Sequence, residues 1–150
     1  MMIHGYSEIY LDSSMDILGQ AFDWVANTCE DDLALFADRF ANSQIGHCFE
    51  HGMPRYIAGC NGAELANMAL ESLGLPEYDA VIEFWLDKSP EYWVGWILAY
   101  YQWKKNIPFS EILKFAPIEK LLRLYYLGHE QDEEHVCDIL DEWAEKYDTN

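Results

Sequence analysis

Basic residues are scarce in this sequence. Nine Lys and Arg stand against 27 Asp and Glu, so the formal net charge is −18 at pH 7. Proteins that bind nucleic acid directly and proteins that bind anionic membranes use clusters of Lys and Arg to do so. The composition therefore predicts neither direct nucleic-acid binding nor membrane binding.

The sequence also lacks long apolar runs and a cysteine framework. It has no stretch of about 18 apolar residues, and its first residues lack the basic flank of a signal peptide. The four cysteines form no CxxC pair, so neither a zinc ribbon nor a thioredoxin-like redox motif is indicated. We expect a cytoplasmic protein with reduced thiols.

Motifs of several enzyme classes are missing as well. There is no glycine-rich phosphate loop, and there is no G-x-S-x-G sequence that would mark a nucleophilic serine. We therefore expect no cofactor and no catalytic residue, and we predict that the protein is not an enzyme.

What the sequence does contain is helical periodicity, while alternating strand patterns are nearly absent. The 150 residues are expected to form one domain, 1–150. The predicted helices lie near residues 12–28, from Asp31 or Asp32 onward, 44–51, 61–73, 90–105, 117–128 and 132–147, with a short helical turn capped by Ser110. We predict a loop over 52–62, and residues 77–87 are either a short helix or irregular.

Residues 90–105 carry apolar and aromatic side chains over most of the helix circumference. Ser89 offers an N-cap hydroxyl, and Pro90 suits the first helical position. A helix that is apolar almost all round belongs in the middle of a bundle, and Gly95 would let a neighbouring backbone approach closely. The sequence predicts an all-α fold, a compact bundle of five to seven helices around this central aromatic helix.

Trp93, Trp96 and Tyr100 share one side of the aromatic helix. Their helical spacing is typical of a bundle core, but the same rings would also suit a pocket for a small ligand. If the protein does not act by binding another protein, the alternative is therefore a small-ligand-binding or hydrolytic helical bundle with an aromatic pocket. A homodimer through exposed apolar surface is a third interpretation.

His47, Glu50 and His51 form an H-x-x-E-H pattern, which resembles the inverted zinc-protease motif. On a helix, the two histidines would lie one turn apart on one face. The predicted helix is short and bounded by glycines, and no third ligand stands out downstream. We therefore predict no metal site and keep these three residues as weak candidates.

Acidic residues recur at helical spacing on the first and the last predicted helix. Their carboxylates are expected to form two rows that bind a partner: Asp12, Asp16, Asp23, Glu134, Asp138, Asp141 and Glu145. Such rows would imitate the spacing of phosphates and would steer a basic protein into contact. An acidic, solvated face that only keeps the protein soluble is the other interpretation.

Five segments share a pattern with known proteins: residues 54–59 (PRYIAG), 62–66 (GAELA), 89–103 (SPEYWVGWILAYYQW), 109–112 (FSEI) and 129–130 (HE). The chain resembles a family of small uncharacterised bacterial proteins. Genes of that family tend to lie beside small proteins of ADP-ribosyltransferase type, as in toxin–antitoxin modules. The resemblance implies an all-helical domain and an antitoxin-like role, and it implies no catalytic residue. Residues 77–87 contain additional acidic residues, so this chain is more acidic than the pattern of that family.

Charge and resemblance together favour a non-catalytic acidic binding protein. Such a protein would inhibit a basic partner protein, either a toxin or an enzyme that handles nucleic acid, by antitoxin-like or nucleic-acid-mimic action.

Overall fold

A computed structural model describes residues 3–149, which form nine α-helices. The helices are α1 (Leu11–Asp23), α2 (Leu33–Ala41), α3 (Gln44–Glu50), α4 (Pro54–Ile57), α5 (Gly62–Ser72), α6 (Pro90–Lys105), α7 (Phe109–Phe115), α8 (Ile118–Gly128) and α9 (Glu133–Asp148). A 3₁₀ turn, Glu8–Tyr10, leads into α1, and a π-helical turn, Trp24–Thr28, extends it. Within the described range there is no strand, so the predicted all-α bundle is confirmed, with nine helices where five to seven were predicted.

Capping residues start the helices where local sequence signals predicted. The side chains of Asp32, Ser89 and Asp132 each accept a hydrogen bond from a backbone N–H in the first turn that follows. Asn61 and Glu64 form a reciprocal capping box at the start of α5. These bonds satisfy backbone amide groups that would otherwise lack partners. Because each capping residue lies next to the helix that it starts, the sequence alone predicts where these helices begin.

The aromatic helix α6 lies in the middle of the bundle, as predicted, and it packs most extensively on α1. Gly95 of α6 lies against the backbone of α1: a Cβ atom at this position would be only 2.5 Å from the Leu18 carbonyl oxygen. On the other side of the contact, Gly19 of α1 accommodates the ring of Tyr92. The two helices approach closely because each has a glycine where the other presses against it.

Two short elements differ from the sequence predictions. Residues 52–62, predicted as a loop, contain the single turn α4, which Pro54 opens at its first position. The turn assigned to Ser110 is the seven-residue helix α7, and Pro108 occupies its N-cap position, so the assignment of Ser110 as the cap was wrong. The backbone N–H of Phe109, the first residue of α7, donates instead to the side chain of Glu50, which is far away in the sequence.

Residues 77–87 are irregular and extended, which was one of the two predictions for them. We call this segment the strap. The side chains of Tyr78, Ala80 and Phe84 pack against the core. The strap connects α5 to α6 and positions the surface described below.

Candidate functional site

The acidic row on α9 is partly neutralised by α6. Glu134 accepts hydrogen bonds from the Tyr100 hydroxyl and from the Lys104 ammonium group. These hydrogen bonds, the one from Lys104 first, hold the pKa of Glu134 below its ordinary value. Two turns further along α9, the two carboxylate oxygens of Asp141 bind the Tyr101 hydroxyl at 2.7 Å and Lys105 Nζ at 2.9 Å.

The acidic row on α1 is also used inside the molecule. The Asp16 carboxylate accepts hydrogen bonds from the Tyr92 hydroxyl and from Gln20 Nε2. Asp23 is buried and accepts from the Ser89 hydroxyl at 2.6 Å and from Asn27 Nδ2 at 2.9 Å. Both carboxylates therefore link α1 to α6, and these hydrogen bonds stabilise the packing of the two helices.

Asp12, Asp138 and Glu145 remain exposed on α1 and α9. The two rows are therefore not continuous lines of free carboxylates with phosphate-like spacing. The surface is still strongly negative: among residues 3–149, the Lys–carboxylate ion pairs are Lys104–Glu134, Lys105–Asp141 and Lys114–Glu111. The other carboxylates outnumber the remaining basic side chains several-fold, so the protein presents a negative potential to any partner.

The strap exposes apolar side chains beside acidic ones. Val81, Ile82, Trp85 and Leu86 are 66%, 61%, 56% and 96% exposed. Sequence reasoning treated these residues only as an ambiguous element. The segment VIEFWLD contains five apolar side chains and two acids, and because Val81–Trp85 and Ile82–Leu86 have the four-residue spacing of a helix, the pattern did not reveal an exposed extended segment.

The strap is held firmly from below. Trp24 is fully buried, and its Nε1 donates a hydrogen bond to the Val81 carbonyl oxygen at 2.6 Å. Tyr78 donates through its hydroxyl to Asp31 at 2.7 Å, and its backbone N–H donates to Asn67 Oδ1 at 2.9 Å. The Tyr78 ring contacts Trp24 edge to face. These contacts attach the strap to the core at Tyr78 and Val81, and the side chain of Phe84 packs on the core as well.

An open aromatic cleft lies between α6 and the start of α9. Its volume is about 430 Å³, and its walls are formed by Lys88, Tyr92, Trp93, Trp96, Tyr125, His129, Gln131 and Glu133. Two of the three predicted pocket residues, Trp93 and Trp96, therefore share one cleft, while Tyr100 lies outside it and binds Glu134. The His129 ring stacks on Tyr125 at 4.2 Å between centroids, which leaves a flat aromatic wall.

Two of the H-x-x-E-H residues meet, since His47 Nδ1 lies 3.4 Å from Glu50 Oε2, but the three side chains do not form a metal site. His47 and His51 are exposed, whereas the Glu50 side chain turns inward and is buried. Glu50 Oε1 accepts the backbone N–H of Phe109 at 2.8 Å, which satisfies the first turn of α7. Among residues 3–149, no cluster of three His, Cys, Asp or Glu side chains has metal-binding geometry.

The role of Glu50 gives a direct test. We expect Glu50→Ala to lower the free energy of unfolding by about 2–3 kcal/mol, because it leaves the buried Phe109 N–H without an acceptor. Glu50→Gln keeps an oxygen at this position and is expected to cost clearly less. Urea unfolding followed by circular dichroism measures both. Equal losses for the two variants would contradict the assignment of Glu50 Oε1 as the acceptor.

In the part of the chain that the structure describes, no helix is both long and apolar enough to cross a membrane. Comparisons of the chain with protein-family models, with curated proteins and with solved structures gave no match. The fold and its surfaces define the class, a compact all-α bundle with an acidic surface, an apolar strap and an aromatic cleft.

Proposed function

We propose that the protein is a non-catalytic binding protein that inhibits a basic partner protein, in the manner of an antitoxin or of a nucleic-acid mimic. The observation that carries the proposal is the uncompensated charge: the chain carries a net −18, and between residues 3 and 149 only a few carboxylates pair with a lysine. Such a surface attracts basic proteins over a distance and speeds their association.

The exposed members of the two predicted rows are the first candidates for contact. Asp12, Asp138 and Glu145 are accessible, whereas Asp16, Asp23, Glu134 and Asp141 have partners inside the molecule. Binding of a basic partner therefore does not depend on a regular, phosphate-like spacing of the carboxylates. It requires only a negative face that is complementary to a basic one.

Salt dependence of binding tests the proposal. A basic partner is first isolated on the immobilised protein, and its dissociation constant is then measured at about 0.05 M and about 0.5 M salt. We expect affinity to fall at least about tenfold, because salt screens exposed charges, and we expect the activity of the partner to fall when the complex forms. Affinity that is equal at the two salt concentrations, or a complex in which the partner stays fully active, would contradict the proposal.

A charge-matched pair of variants locates the contact. The triple variant Asp12→Asn, Asp138→Asn, Glu145→Gln is compared with Glu8→Gln, Glu71→Gln, Glu119→Gln, since both lose three exposed carboxylates. We expect only the first to weaken binding by about tenfold, about 1.4 kcal/mol. Equal weakening would show that the overall charge acts without these three residues.

The aromatic cleft supports a second function, the binding of a small flat ligand. Trp93, Trp96 and Tyr125 offer stacking surfaces, and Lys88 and Glu133 offer charges of both signs at the edge. Binding there would change tryptophan fluorescence, in part through Trp93, and Trp96→Ala would lower the affinity by removing a stacking surface. A titration midpoint that this substitution leaves unchanged would exclude the cleft as the binding site.

A further inference from the structure

The strap carries four exposed apolar side chains on a backbone that is hydrogen-bonded to the core. Its residues Val81, Ile82, Trp85 and Leu86 occur within six positions of one irregular segment, and each is more than half exposed. Scattered apolar residues are normal on a protein surface, but a contiguous apolar patch usually marks an interaction site. A tryptophan in such a patch is a frequent centre of binding energy.

Contacts between the strap and the core hold the strap backbone in place before a partner binds. The Trp24–Val81 hydrogen bond and the inward ring of Phe84 hold the backbone on the core. A pre-positioned segment loses little conformational freedom when it binds, so more of the contact energy appears as affinity. A loosely attached loop of the same composition would lack this advantage.

The charges around the patch select its occupant. Glu77, Asp79, Glu83 and Asp87 are exposed within the strap, which contains no Lys or Arg, and the adjacent Lys88 leaves the negative charge in excess. An anionic lipid surface would be repelled by these carboxylates. A second copy of the chain would bring another net charge of −18 into contact with them. A groove with an apolar floor and a rim of Lys or Arg is complementary to both features.

We propose that the strap docks into an apolar groove rimmed by Lys and Arg on the partner protein, with Trp85 and Leu86 filling the groove and Glu83 and Asp87 pairing with its rim. This inference rests on the proposed function, because it names the surface through which the basic partner is held. The acidic surface steers the partner, and the apolar strap holds it.

Two double variants and one matched control test the docking site, with the purified basic protein from the salt titration as the probe. We expect Trp85→Ser with Leu86→Ser to raise the dissociation constant about 100-fold while its salt dependence is retained. Glu83→Gln with Asp87→Asn is expected to raise it about tenfold and to flatten the salt dependence. The control, Tyr126→Ser with Leu127→Ser, removes two exposed apolar residues of α8 and is expected to change the constant less than twofold.

The outcomes separate this inference from the proposed function. Salt-sensitive binding and inhibition that survive both strap variants would overturn the strap as the docking site and leave the acidic surface in place. Binding without salt dependence would overturn the proposed function. Wild-type binding to vesicles of phosphatidylcholine and phosphatidylglycerol, or self-association that Trp85→Ser with Leu86→Ser abolishes, would assign the strap to a lipid surface or to a second copy. Unchanged circular dichroism spectra establish that the variants fold.

Discussion

Gly95→Ala is expected to lower the free energy of unfolding by about 3 kcal/mol, at the upper end of the usual cost of overpacking. The added Cβ would lie 2.5 Å from the carbonyl oxygen of Leu18 and 3.0 Å from the Cα of Gly19. These are backbone atoms of α1, which cannot rotate out of the way as a side chain can. Relief requires α1 and α6 to move apart, which opens the largest helix contact of the bundle.

Gly128→Ala is the matched control for this substitution. At the end of α8, a Cβ would have its nearest neighbour at 3.5 Å, the flexible Cδ1 of Leu124, which is an ordinary contact distance. Alanine has a higher helix propensity than glycine by up to about 1 kcal/mol, so we expect little change or a small gain. Urea unfolding curves of both variants measure the difference. If Gly95→Ala proved as stable as Gly128→Ala, the close crossing of α1 and α6 would be wrong.

We expect the protein to unfold at a clearly lower alkaline pH than a typical helical protein does. Four tyrosine hydroxyls donate to carboxylates: Tyr78 to Asp31, Tyr92 to Asp16, Tyr100 to Glu134 and Tyr101 to Asp141. Burial first, and then these hydrogen bonds, raise the pKa of each hydroxyl. Burial likewise raises the pKa of Tyr6 to about 12.

The sign of the effect follows from the protonation of the two states. Unfolded tyrosines ionise near pH 10, whereas the folded ones stay protonated, so their stabilising contribution is complete below about pH 10 and is lost as the pH rises toward the folded pKa values. A fully protected group contributes a slope of about 1.4 kcal/mol per pH unit, and partial exposure reduces it for several of these tyrosines. Cysteines add to the loss from about pH 9, because burial raises the pKa of Cys29 and Cys60 to about 11.

Urea midpoints measured between about pH 7 and about pH 12 test this prediction. We expect a plateau to about pH 9 and a steep fall above pH 10, with tyrosinate absorbance rising in step with unfolding. Tyr101→Phe is expected to reduce the slope, since one protected hydroxyl is gone. Tyr126→Phe, at an exposed position, is the control and should leave the slope unchanged. A urea midpoint that stays constant to about pH 11 would contradict the tyrosine–carboxylate bonds.

Local sequence signals were enough to predict where several helices start and which helix lies at the centre of the bundle. Helix caps such as Asp32, Asn61 and Ser89 act within one turn, so their effect is visible in a few residues. The central position of α6 followed from its apolar circumference. The single turn α4 was missed because its proline and the neighbouring glycines are equally typical of a loop.

Tertiary contacts explain what the sequence did not reveal. A helical wheel places Glu134 and Asp141 on one acidic face of α9, but it does not show that Lys104 and Lys105 of α6 lie beside them. Nor does it show that Asp23 is buried under Ser89. The exposed apolar side of the strap was equally invisible, because it depends on Tyr78 and Phe84 turning inward. Such pairings join residues that are far apart in the chain.

The position of the strap has a consequence for how the molecule tolerates cutting. Helices α1 to α5 precede the strap and α6 to α9 follow it, yet the broadest packing joins α1 to α6 across that boundary. A protease that cleaves near the exposed Leu86 would therefore yield two fragments whose cohesion depends on complementary surfaces rather than on a continuous chain. The same division would suit a split reporter, in which reassembly of the two halves becomes concentration-dependent.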